Sequence, residues 1–270
     1  MKLAIMQGRL SPMVNRKIQA FPKKNWKKEF SIAKKIGLKF IEWTLDYQHL
    51  FLNPLLTKKG KKEIRFFSKK YSIKIKSLTG DCFMQRPFWK LKNNNKLILN
   101  FKKIINSCGE IKIKYIVVPL VDKGSIKNSN QEESLIKVCK NQIPILKKNK
   151  VKIIFESDYS PTKLKNLIKK FDSRYFGINY DSGNSASLGF DCNDEFKKYK
   201  KFICNVHLKD RHFKGGTVRL GGGNANFSKL FYNLKKMKYK GLLVLQTARS
   251  SIDKDVDEII YNLKFIKKFI

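Results

Sequence analysis

Short apolar runs alternate with lysine-rich stretches of helical period from one end of the chain to the other. The runs read as strands of a buried sheet, and the stretches between them as amphipathic helices whose apolar stripe recurs every three or four residues. Predicted strands are Lys2–Gln7, Lys39–Thr44, Ile73–Thr79, Tyr115–Leu120, Val151–Glu156, Tyr175–Tyr180, Phe202–Leu208 and Gly241–Gln246. Helices are expected over Asn25–Ile36, Lys58–Lys70, Asn94–Cys108, Gln131–Lys148, Thr162–Phe171, Cys192–Lys201, Phe227–Lys238 and Asp253–Phe269. Gly37 supplies a stop for the first helix and Pro161 a starting residue for the fifth, while Pro144 either kinks the fourth or starts a separate turn. The SGNSASLG stretch after the sixth strand reads as a loop, and Arg86–Trp89 as either a lid or a packed excursion.

Strands and helices that alternate eight times in 270 residues predict a (β/α)8 TIM barrel, a single domain over residues 1–270. A doubly wound open sheet shows the same alternation with fewer units. No linker, low-complexity tract or internal repeat marks a second domain.

Composition changes this picture little. The formal net charge of +38 invites a polyanion partner, but only eight of the 59 basic residues are Arg, and the Lys is spread over nearly every predicted helix. Nucleic-acid sites instead gather Arg and Lys on one face, so no specific nucleic-acid partner is expected. No stretch approaches the roughly 18 uninterrupted apolar residues of a membrane span, and the N-terminal segment lacks a signal-peptide pattern. Five scattered cysteines without a CxxC pair suit a reducing cytoplasm. A homo-oligomer is neither required nor excluded.

Candidate chemistry sits at the strand ends. The run Ile203–Arg211 stops in His207, Lys209, Asp210 and Arg211, and three other strands end near Glu156, Asp181 and Gln246. In a barrel these four ends open on one face. One imidazole, two carboxylates and an amide oxygen suit a single divalent ion such as Mn²⁺, Mg²⁺, Co²⁺ or Zn²⁺. A strand-end carboxylate is also an ordinary helix cap, so the expectation rests on four consecutive strands ending this way.

The motifs GRLSP, FIEW, FES, NYDSGN, NVHLKDR, VRLGGGNANF and LQTAR resemble those of the xylose isomerase-like barrel superfamily of sugar and sugar-phosphate isomerases and epimerases, over nearly the whole chain. The resemblance implies metal ligands at Glu156, Asp181, His207 and Gln246, and a substrate-holding role for Arg211. Asn184, Asp210, Arg9, Glu42 and Arg249 are further candidates to hold substrate. Two positions depart from the family pattern. Gln246 stands where the family has a second glutamate base, and Asn184 where epimerases often carry histidine. An amide is no general base near neutral pH, so Glu156 is expected to remove the proton α to a carbonyl, forming an enediolate.

The expected function is metal-dependent isomerisation or epimerisation of a sugar or sugar phosphate. The alternatives are dehydration of a keto-sugar or inosose, and a barrel that has lost catalysis. An endonuclease of DNA repair is the least favoured, because the chain has only His49, His207 and His212.

Overall fold

The computed structural model describes residues 1–250 and 254–270. Eight parallel strands close on themselves: β1 (Lys2–Met6), β2 (Phe40–Thr44), β3 (Lys74–Thr79), β4 (Tyr115–Leu120), β5 (Lys152–Ser157), β6 (Phe176–Asp181), β7 (Ile203–Leu208) and β8 (Leu242–Leu245). Each pairs with its neighbours in sequence, and β8 returns to β1 with Lys2 opposite Leu242 and Ala4 opposite Val244. The seam is tied again where Lys2 N donates to the Gly241 carbonyl, 3.1 Å away.

The helices that cover the barrel follow the predicted stripes. α1 (Trp26–Lys35) buries Trp26, Phe30 and Ala33, and α2 (Lys58–Tyr71) buries Ile64. Thr57 caps α2 by accepting from Gly60 N at 2.9 Å. α3 (Asp81–Gln85) is one short turn after β3, and α4 (Asn95–Ile111) runs to a left-handed Lys112. The helix expected over Gln131–Lys148 is two, α5 (Ser129–Lys140) and α6 (Ile143–Asn149), because Pro144 cannot continue a helix begun upstream but fits a first turn. α7 (Pro161–Lys169) starts at the expected proline.

The SGNSASLG stretch is not a loop: Ser182–Ser187 forms α8, nucleated by Asp181 accepting from Asn184 N at 2.7 Å. α9 (Cys192–Tyr199), α10 (Phe227–Lys236) and α11 (Asp255–Lys267) complete the ring, with Asp253 outside the described residues. The aromatic segment after α3 is a packed excursion, with Phe88 and Trp89 buried and the Trp89 indole donating to the Gly124 carbonyl. Among the described residues no helix is long and apolar enough to cross a membrane.

Most of the interior is aliphatic and aromatic, but its lumen carries a polar thread. Glu42, Asn179 and Asn205 are buried there, on β2, β6 and β7. Such groups are tolerated only when hydrogen-bonded. Asn205 Nδ2 donates to Glu42 Oε2 at 3.0 Å and to Asn179 Oδ1 at 2.8 Å, and Asn179 Nδ2 donates to Glu156 Oε2 at 2.8 Å. The thread thus ends at a strand-end carboxylate.

Candidate functional site

Glu156 near the end of β5, Asp181 at the end of β6 and His207 on β7 offer one ligand atom each within 4.8 Å of one another. Strand register brings them together: Asp181 stands opposite His207 in the β6–β7 pairing. All three are buried.

The imidazole is oriented from below. His207 Nε2 lies 2.7 Å from Glu42 Oε1, which also accepts from Thr79 Oγ1 at 2.6 Å. A carboxylate can only accept, so Nε2 carries the proton and Nδ1 faces the mouth. There Nδ1 is 3.0 Å from Glu156 Oε2 and 3.9 Å from Asp181 Oδ2, yet it has no aligned hydrogen-bond partner among the described residues. Two carboxylates and a ring nitrogen converging this closely repel unless positive charge sits among them. A second ring proton can supply it: burial lowers the His207 pKa, but Glu42 and Glu156 outweigh burial and raise it well above the usual range.

A divalent cation also meets that need. Asp181 Oδ2 and Gln246 Oε1 are buried without hydrogen-bond partners among the described residues, as Nδ1 is. Donors about 2.1 Å from an octahedral ion stand about 3 Å apart, which matches the Nδ1 to Glu156 separation. The residues therefore fit a metal of the carboxylate and imidazole class.

Around the cluster lies a cavity of about 190 Å³, lined among others by Glu156, Asn184, Lys209, Arg211, Gln246 and Arg9. Asn184 links the ligands to the cations: its Nδ2 donates to Glu156 Oε1 at 2.7 Å, and its Oδ1 accepts from Arg211 Nη1 at 3.1 Å and Lys209 Nζ at 3.3 Å. Arg211 also donates twice to the Gly215 carbonyl. Arg9 reaches the cavity with its Nε, Nη1 and Nη2 engaged by Thr247 O, Ile18 O and Gln19 Oε1. A larger cavity of about 500 Å³ lies under the loop after β1 and meets the first at Gln85, but the strand-end cluster does not line it.

Three residues expected at the substrate sit elsewhere. Glu42 is wholly buried beneath His207. Asp210 accepts from Gly221 N, Gly223 N and Ala225 N at 2.9–3.0 Å, which engages both oxygens, and it is fully buried under the GGG turn. Arg249 donates to the carbonyls of Gly8 and Ser11 and pairs with Asp255 at 3.0 Å, so it clamps the loop after β1. Conversely Lys209, 3.7 Å from Asp181 Oδ2, and the Asn179–Asn205 link were not among the expected site residues. Lys209 had a signal, its place two residues after His207 at a strand end. The asparagines had one as well, a polar side chain inside an apolar strand run, in the NYDSGN and NVHLKDR motifs.

A closed parallel barrel with a carboxylate–histidine cluster at the C-terminal mouth defines a (β/α)8 protein built around a strand-end site. The chain belongs to the xylose isomerase-like TIM barrel family, whose model matches residues 30–269. Solved structures of similar fold include a xylose isomerase domain protein from Planctomyces limnophilus, at 13% identity and TM-score 0.78, covering 99% of this chain and 96% of that one. A D-psicose 3-epimerase from Clostridium cellulolyticum H10, with D-tagatose, is 11% identical with TM-score 0.76, over 100% of this chain and 99% of that chain. The IolI protein with a bound zinc atom is 17% identical with TM-score 0.76, over 100% and 99%. An uncharacterised protein of Methanocaldococcus jannaschii is 22% identical over 114 residues, 41% of this chain and 37% of that protein.

Proposed function

We propose that the chain is a divalent-metal-dependent isomerase or epimerase of a small sugar or sugar phosphate. The observation that carries this reading is the set of buried ligand atoms at the mouth that lack a hydrogen-bond partner among the described residues: Asp181 Oδ2, His207 Nδ1 and Gln246 Oε1, with Glu156 beside them. Buried polar atoms without partners are costly, and they persist where a ligand satisfies them. Glu156, Asp181, His207 and Gln246 would hold one ion among Mn²⁺, Mg²⁺, Co²⁺ and Zn²⁺. The ion would act as a Lewis acid that polarises the substrate carbonyl.

The chain's own residues do the rest. Glu156 removes the proton α to the carbonyl, giving an enediolate. Hydrogen bonds from Asn179 and Asn184 occupy both of its oxygens and fix their direction. Burial alone would raise the Glu156 pKa, but the hydrogen bond and charge of His207, the charge of Lys209 and the Asn179 bond favour the ionised form and lower it. General-base catalysis of this kind contributes typically ~10²–10⁴-fold. Arg211 and Lys209, with N–H groups facing the cavity, pair with oxygens or a phosphate of the substrate. The modest cavity of about 190 Å³ suits one sugar rather than a polymer end. Five free thiols support a cytoplasmic location.

Two measurements test this. Metal analysis of purified and reconstituted protein should find one divalent ion per chain. Solvent deuterium should exchange into the α position of a ketose or ketose phosphate, and Glu156→Gln should abolish that exchange. Exchange that persists in Glu156→Gln would sink the base assignment.

A further inference from the structure

Gln246 has no proton to give or take near neutral pH, so a reaction that needs a second acid–base group must find it elsewhere on the cavity wall. Among the described residues three carboxyls line that cavity: Glu156, Asp122 and Asp81. Asp122 is exposed to water. Asp81, first residue of α3, is only 6% exposed, and its Oδ2 is buried without a hydrogen-bond partner among the described residues. Its place follows from topology. In a closed ring of eight strands β3 lies four strands from β7 by either route, so Asp81 follows the strand opposite the one that bears His207, and it lines the same cavity as Glu156.

We propose that Asp81 is the second proton-transfer group of this site, acting on the substrate from the β3 wall. The assignment rests on the isomerase or epimerase reading above. Burial, aided by the Asp46 and Glu156 carboxylates and opposed by Gln19 and Arg9, pushes the Asp81 pKa up to about 7. Acid and base forms are then both populated near neutrality, the condition for efficient proton transfer. Lys209, the other proton carrier nearby, is already engaged by Asp181 Oδ2 and Asn184 Oδ1. A carboxylate in a first helical turn is ordinary helix chemistry, but that role does not explain a buried oxygen left unpaired beside a cavity.

The step balances without a further reactant. The Glu156 carboxylate takes the α proton, the C–H pair becomes the C=C bond, and the carbonyl π pair moves to oxygen. Asp81, as the acid, then gives its proton to the same carbon from its own side. The enediolate pair forms the new C–H bond and the carbonyl returns. Glu156 is left protonated and Asp81 ionised, and exchange with water restores both.

The test uses Mn²⁺-loaded protein with D-tagatose, D-fructose and D-allulose in D₂O, followed by NMR. In the wild type, the first product should be fully deuterated at the inverted carbon while recovered substrate keeps its protium; equal deuterium in both pools overturns the assignment. Asp81→Asn should lose net conversion at least ~100-fold and still wash the substrate α proton into solvent. Asp81→Glu should recover part of the conversion, and melting temperatures report whether the variants fold. Conversion by Asp81→Asn within about threefold of wild type overturns the proposal and leaves the isomerase reading standing. Absence of exchange with every probe in the wild type overturns that reading, and the role of Asp81 with it.

Discussion

His207 Nε2 and Glu42 Oε1 stand 2.7 Å apart in a wholly buried pair whose partners are 165 residues apart in sequence. Glu42 fixes the tautomer that leaves Nδ1 free for the mouth. Replacing Glu42 with Gln keeps the shape but removes the charge that makes Nδ1 basic. Metal affinity should fall ~10–100-fold, the usual effect of losing such an outer partner. Calorimetric titration with Mn²⁺ or Zn²⁺ checks this, and an affinity within about twofold of wild type would show that the pair only fills space.

Gln246 gives a two-sided prediction. Its Oε1 lacks a hydrogen-bond partner among the described residues, so Gln246→Ala should weaken metal binding about tenfold, while Gln246→Glu adds an anionic ligand and should tighten it. Competition against a chelator reads both. If alanine leaves affinity unchanged, the amide is not a ligand.

Glu29 makes stability depend on pH. It accepts from Gly8 N, Leu10 N and Ser11 Oγ, but burial outweighs these donors and pushes its pKa from 4.5 up to about 7. The folded chain thus binds this proton more tightly than the unfolded chain. Its contribution is greatest below the unfolded value and is lost as pH rises through about 7. The melting temperature of wild type relative to Glu29→Gln should fall between about pH 5 and about pH 8, by the equivalent of up to about 3 kcal/mol. A difference constant across that range would refute the assignment.

Asp210 gathers three backbone N–H groups and is completely buried. Asp210→Asn turns one acceptor into a donor facing those amides and should cost ~1–3 kcal/mol in urea unfolding. Gly223→Ala attacks the same turn from the other side, because a Cβ there meets Asp210 Oδ1 at 2.3 Å. If either variant unfolds at the wild-type midpoint, the turn is not held as described.

The barrel was legible because each strand is a short apolar run and each helix keeps a period that a sheet cannot share. The strand ends Glu156, Asp181 and His207 were legible for the same reason, since polarity after an apolar run marks where a strand leaves the core. Sequence carries no sign of which strand-end groups point inward and which turn to the backbone. Asp210 and Arg249 were expected at the substrate and instead hold loops, because carbonyls and amides of distant segments are invisible to local pattern. Glu42 and Asn205, far apart in the chain, meet only inside the lumen. α8 escaped notice because its small polar residues have low helix propensity, and the capping role open to any strand-end carboxylate did not single out Asp181.

The seam between β1 and β8 imposes an order on biosynthesis. β1 is made about 240 residues before its partner β8, as the Lys2–Leu242 register shows. Until then one edge of the nascent sheet has no mate, and the Glu29 cradle around Gly8 and Ser11 waits for Arg249. Closure is a long-range event, slow by the entropy of the loop it must close. Moving that join within the sequence by circular permutation should change how fast the barrel assembles far more than how stable it is once assembled.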